Sequence, residues 1–212
     1  MASMRALIWD LGGTLADTYP DVDRALAAVL EPRPGPELLH EVAMLTRLSS
    51  SHAISTLAAR HGVPERRLRS AYEQTKRDWR ENPPPVMPGA RELLSAVRER
   101  GGLNLVATHR ERASAASLLD SLGLGVDDMV CAPDGYARKP DPAMNRALLA
   151  RHGLEPVDCL AVGDRPADVA AAAAAGVRGV LLETEGIPLE AGDAERVISL
   201  RELHGRLCLD SE

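Results

Sequence analysis

Asp10, Thr108, Lys139 and Asp164 each stand in the turn or loop that follows a short apolar run, and they carry most of the chemistry this sequence can offer. Ala6, Leu7, Ile8 and Trp9 stop abruptly at Asp10, with Gly12, Gly13 and Thr14 close behind. A carboxylate thrown out of the end of a buried strand, beside glycines whose amides can turn toward an anion, suits a nucleophile in a phosphate cradle. The acyl phosphate it would form is itself readily hydrolysed. Read alone, the same residues are an Asp-Gly turn that closes a strand. A second apolar run, 159–162, ends at Gly163 and Asp164, and Asp168 follows where it can cap the next helix. Two carboxylates gathered at one sheet edge repel unless a cation neutralises them, and a hard divalent ion with oxygen ligands, Mg²⁺, answers that repulsion and polarises a phosphate. Thr108 offers a hydroxyl and Lys139 a positive charge to phosphate oxygens. Singly they read as a turn residue and a solvated lysine. In the order Asp, Thr, Lys, Asp at successive strand-to-helix junctions, each supports the others.

Strand and helix must alternate to place them. Apolar runs at 6–9, 103–107, 129–132, 159–162 and 177–182 read as buried strands, each bounded by turn residues. Between them lie helical patterns at 90–100, 111–122 and 141–152, the first two stopped by glycines and the third opened by Pro142. Ala170 to Ala175 is strong helix former. The alternation predicts an α/β fold, a doubly wound and mainly parallel sheet, with ligands at the carboxyl ends of its strands. Residues 20–82 break the rhythm with helix after helix, at 21–30, 37–48, 51–60 and 65–81, and close on Pro83, Pro84 and Pro85. That stretch reads as a small all-helical insert, giving a core of 1–16 and 85–212 and a cap of 17–84, with 15–20 and 83–85 as paired hinges.

Composition narrows the partners. The 212 residues are 45% hydrophobic and 26% charged, which excludes whole-chain disorder. A net charge of −6 and only two Trp, three Tyr and no Phe argue against nucleic acid as partner. Three cysteines, Cys131, Cys159 and Cys208, with no C-x-x-C pair suit a reducing cytoplasm. The start MASMRALIWD lacks a signal core, and no apolar run reaches the roughly 20 residues of a membrane span.

On these motifs, from Asp10 to Asp168, and on the helical insert after the first strand, the chain resembles haloacid dehalogenase-like (HAD) hydrolases that carry a small helical cap. The resemblance implies a Mg²⁺-dependent phosphatase, similar to phosphoglycolate phosphatases, acting as monomer or homodimer on a small phosphorylated metabolite through an aspartyl phosphate. It implies that Asp10 is nucleophile and metal ligand, that Gly12 lends its carbonyl to the metal, and that Asp164 is the second acidic ligand, supported by Asp168. Gly13, Thr14, Thr108, His109 and Lys139 would line the phosphoryl site. Phosphatases of the family generally carry an aspartate as general acid and base where this chain has Gly12, and a histidine, here His109, has a suitable pKa to replace its proton. Two other readings rest on the same gap: a catalytically weak domain that binds a phosphometabolite or a protein, and a phosphonatase or dehalogenase relative. A phosphonatase would need a cap lysine, for which only Lys76 is present.

Overall fold

The computed structural model describes residues 4–209. Its chain divides into two compact units, Asp17–Pro85 and the remainder before and after it. The larger unit is built on a six-stranded sheet: β1 (Ala6–Trp9), β2 (Leu103–Thr108), β3 (Asp128–Cys131), β4 (Cys159–Gly163), β5 (Arg178–Leu182) and β6 (Glu195–Val197). The strand order is β3-β2-β1-β4-β5-β6 and each pairing is parallel. Parallel neighbours need crossovers; from β1 to β5 these carry α5 (Ala90–Glu99), α6 (Arg112–Ser121), α7 (Ala143–His152) and α8 (Pro166–Ala174), β5 reaches β6 without a helix, and α9 (Leu200–Leu209) follows β6.

Alternation along β1 sorts the core into two layers. Leu7 and Trp9 face one layer with Leu93, Leu94 and Val97 of α5, Leu118 of α6 and Leu200 of α9. Ala6 and Ile8 face the other, with Met144 and Leu148 of α7 and Ala172 of α8. Successive side chains of a strand point to opposite faces, so a strand covered on both must be apolar throughout. That is why these strands read as unbroken apolar runs. The polar exception is satisfied within the core: Trp9 Nε1 donates to Asn104 Oδ1 at 3.0 Å, and Asn104 Nδ2 donates to the Leu94 carbonyl at 3.0 Å.

The chain runs from β1 outward through β2 to β3, then returns to place β4 on the other side of β1. The strand order therefore reverses between β1 and β4, and in a doubly wound sheet ligands bind at the carboxyl ends flanking such a reversal. Register sets Trp9 level with Val106 on one side and with Val162 on the other. Asp10, Thr108 and Asp164 consequently emerge at one end of the sheet.

The smaller unit packs α1 (Tyr19–Leu30), α2 (Pro36–Thr46), α3 (Ser50–His61) and α4 (Glu65–Asp78) around its own core, which includes Leu26, Val42, Ile54, Leu57 and Leu68. Ser49 caps α3 by accepting the His52 N–H at 3.0 Å, and Gly62 ends it with φ 64°. Inside this unit Arg47 Nη1 meets Asp23 Oδ2 at 2.5 Å and its guanidinium lies 3.7 Å from the Tyr19 ring centroid.

Several sequence expectations shift. The strand read as 177–182 begins at Arg178, the Pro-Asp-Gly segment at 133–135 opens as a single 3₁₀ turn at Ala132–Asp134, and α7 starts after Pro142 rather than at Asp141. β6 and α9 had no counterpart. Cys131 and Cys159 are buried thiols; the Cys208 side chain lies outside the described residues. Among the described residues no helix is long and apolar enough to cross a membrane.

Candidate active site

Asp10 leaves β1 with its amide N–H still donating to the Val162 carbonyl at 2.9 Å, so the ladder with β4 fixes its backbone one residue past the strand. The turn that follows is tight. Gly13 has φ 92°, a left-handed conformation that suits glycine, and its N–H donates to the Ala16 carbonyl at 2.8 Å. Thr14, fully buried, donates its hydroxyl to Asp164 Oδ1 at 2.9 Å and so ties the turn after β1 to the turn after β4.

Lys139 is the hub of the site. Its Nζ donates to Asp10 Oδ1 at 2.8 Å and to Asp168 Oδ1 at 2.7 Å, with the lysine side chain only 4% exposed. The second Asp168 oxygen accepts the Arg165 N–H at 3.0 Å, while the Asp168 N–H donates back to the Arg165 carbonyl at 2.9 Å. Asp168 therefore both caps α8 and holds Lys139. Gly163 makes this possible, because a Cβ there would lie 2.3 Å from the Asp168 Cβ. Gly163 and Arg165 are the site residues to which sequence reasoning gave no role. The signal was present in the order Gly-Asp-Arg-Pro-Ala-Asp, where a glycine precedes the strand-end acid and an arginine interrupts the acids.

Burial pushes the Asp10 carboxyl above the usual carboxylate range, reinforced by the charge of Asp168 and opposed by Lys139 and Arg165. For Asp168 burial acts the same way, but Lys139, Arg165 and their hydrogen bonds outweigh it and the net is a lowered pKa. Lys139 loses solvation too, and Asp10 and Asp168 more than compensate, so it stays protonated. A buried ion network of this kind is no general source of stability, and breaking it from one side leaves a charge stranded.

His109 departs from expectation. Its Nε2 accepts the Lys139 backbone N–H at 2.8 Å, and burial together with the charges of Lys139, Arg138 and Arg165 holds its pKa down to about 3. The ring is neutral, with its proton on Nδ1, and serves to place the Lys139 backbone. Thr108, 3% exposed, accepts the Arg110 N–H at 3.2 Å. Gly12 bridges to Ala16 and brings no side chain to the turn after Asp10.

One atom stands out. Asp10 Oδ2 is buried and has no hydrogen-bond donor, and Arg165 Nη2 lies 3.8 Å from it. Acceptor atoms of Asp10, Asp164 and Asp168 lie within 4.8 Å of one another. Both Asp168 oxygens have donors, Lys139 Nζ on one and the Arg165 N–H on the other. Hard carboxylate oxygens gathered this closely fit a hard divalent metal.

The family model for haloacid dehalogenase-like hydrolases matches residues 4–176. The chain belongs to that family and is an enzyme of its hydrolase class. It is 46% identical over 99 residues to a phosphoglycolate phosphatase of Rhodospirillum rubrum, a match covering 46% of this chain and 41% of that one. To phosphoglycolate phosphatase 1 of Pseudomonas aeruginosa it is 31% identical over 183 residues, covering 82% of this chain and 67% of the relative. A HAD family hydrolase from Deinococcus radiodurans, solved with bound phosphate and sodium, superposes with TM-score 0.80 over 100% of this chain and 98% of its own, at 24% identity.

Proposed function

We propose that the protein is a Mg²⁺-dependent phosphomonoester hydrolase that acts on a small phosphorylated metabolite through a phosphoryl group carried on Asp10. The observation that carries this reading is Asp10 itself, with one oxygen held by Lys139 and the other buried without a donor at the point where strand order reverses. An oxygen so placed has its lone pairs available and little solvation to lose, which is what a carboxylate nucleophile needs.

Asp10 and Asp164, with the carbonyl of Gly12, would hold the metal. Bound there, Mg²⁺ would polarise the phosphoryl group and offset the charge gathered on it. Asp10 Oδ2 attacks phosphorus, the bond to the leaving oxygen breaks, and the electron pair stays on that oxygen, which takes a proton from water. Lys139 grips the phosphoryl oxygens while Asp168 keeps it in place, and the Thr108 hydroxyl and the Gly13 and Thr14 amides complete the cradle. Water then attacks the same phosphorus, the bond to Asp10 breaks, and phosphate leaves with the carboxylate restored. No side chain at position 12 protonates the leaving group, and a neutral His109 is a far weaker acid than an imidazolium, so substrates with acidic leaving groups are favoured. We assign the helical unit the part of a cap that selects the leaving group, and the buried thiols Cys131 and Cys159 suit a cytoplasmic enzyme.

The relatives make 2-phosphoglycolate the first substrate to try. Phosphate release from a panel of phosphorylated metabolites, with 2-phosphoglycolate among them, is expected to need Mg²⁺ and to vanish in Asp10→Asn. A folded protein that binds such esters without turning any over would make it a binding domain.

A further inference from the structure

We propose that Arg165 is a phosphoryl-binding residue of this site, and that its guanidinium supplies by charge the leaving-step stabilisation that position 12 supplies with no side chain. The inference rests on the phosphatase reading above and adds a residue to its machinery.

The geometry begins with the backbone. Arg165 is the extended residue at the head of α8, φ −121° and ψ 149°, and its N–H and carbonyl are both tied to Asp168. Those two hydrogen bonds fix where the side chain starts, whatever residue stands there. The side chain is 16% exposed and its Nη2 comes 3.8 Å from Asp10 Oδ2, the buried carboxylate oxygen that has no donor. That distance is too long for a hydrogen bond. An oxygen borne on the phosphorus that Oδ2 attacks would meet the guanidinium at an ordinary bond length of about 2.9 Å. A second sign that this cation reaches the heart of the site is His109, whose pKa Arg165 helps to depress along with Lys139 and Arg138.

The charge count points the same way. Asp10, Asp164 and Asp168 bring three negative charges to the site, and Lys139 and Arg165 bring two positive ones. With glycine rather than an acid at position 12, the arginine makes the site more cationic where negative charge accumulates during transfer. A guanidinium stays protonated at any working pH, so it gives no proton; it binds two phosphoryl oxygens in a planar fork and lowers the energy of the charge building on them. The proton still reaches the leaving oxygen from water, so bonds and charges balance as written above.

The test compares the natural protein with Arg165→Gln, Arg165→Lys and Lys139→Met, using inorganic phosphate as the probe. Calorimetric titration of phosphate at saturating Mg²⁺ should show binding weakened about 10- to 100-fold in Arg165→Gln and less in Arg165→Lys, as expected for loss of a charge-assisted bond. The value of kcat should fall in the same order, about 10²-fold for Arg165→Gln. Mg²⁺ affinity, measured separately, should not weaken, because the guanidinium is no ligand, and melting curves should stay cooperative since the α8 cap is made by backbone and Asp168. Unchanged phosphate affinity in Arg165→Gln overturns the proposal even if kcat drops, because the arginine would then only position Asp10. Failure of the natural protein to bind phosphate, with Lys139→Met no different, overturns the underlying reading and the proposal together.

Discussion

Substituting alanine for Gly163 adds one methyl group at the most crowded point of the site. The new Cβ would lie 2.3 Å from Asp168 Cβ and 2.6 Å from both Asp168 Cγ and Oδ2. Carbon atoms in contact settle near 3.5–4.0 Å, so one of the two chains must retreat by more than about 1 Å. Gly163 ends β4, paired with Leu181 of β5, and cannot move cheaply, so Asp168 and the start of α8 give way. The Asp168 Oδ1 to Lys139 Nζ bond at 2.7 Å is then lost or lengthened, and Lys139 swings on Asp10 alone. Overpacking of this kind costs about 1–3 kcal/mol, or about 2–4 °C of Tm per kcal/mol in a protein this size. A displacement of about 1 Å at a residue that positions catalytic groups costs about 10²-fold in kcat. The assay is steady-state phosphate release at saturating Mg²⁺ with a melting curve on the same sample. Gly205→Ala in α9 is the control, because nothing lies within 4 Å of its added Cβ and alanine favours helix. Equal kcat and Tm in Gly163→Ala and the natural protein would refute the packing argument for the Asp168–Lys139 contact.

Lys139→Met strands Asp10 and Asp168 as buried like charges, so stability should fall by about 3–5 kcal/mol, and added Mg²⁺ should recover part of it; thermal melts with and without metal check both. His109 should remain neutral where an ordinary histidine titrates, near 6.5, because its folded pKa is about 3. Since the unfolded chain takes up that proton and the folded one does not, its contribution to stability is present above about 6.5 and lost as pH falls toward 3, and ring resonances of His109 should show no titration across that range. Turnover in the natural protein should depend steeply on leaving-group acidity, and Gly12→Asp should raise alkyl phosphate turnover by about 10-fold while changing aryl phosphate little, as read from a leaving-group series.

How much of this was legible depends on whether the cause is local. The five strands from β1 to β5 are covered on both faces, so each announces itself as an apolar run with a turn after it. β6 does not: it is three residues at the sheet edge, two of them Glu195 and Arg196, whose pairing with Arg206 and Glu183 leaves no apolar signature. Residue types and order singled out Asp10, Lys139, Asp164 and Asp168, which lie together in the structure. The roles that pass between them were not legible, because Lys139 meets Asp10 across 129 positions of chain and Asp168 across 29. His109 shows the limit most clearly. Its type gave no sign that Nε2 would accept the Lys139 N–H, a contact across 30 positions of chain.

The central claim is that Asp10 carries the phosphoryl group, and trapping that adduct tests it directly. Rapid acid quench during turnover of a good substrate, followed by borohydride reduction, converts an acyl phosphate to an alcohol that peptide mass spectrometry can place. The account predicts homoserine at position 10 in the natural protein and none in Asp10→Asn. Steady phosphate release with no modification at Asp10, under conditions where the leaving group departs in a burst, would contradict it.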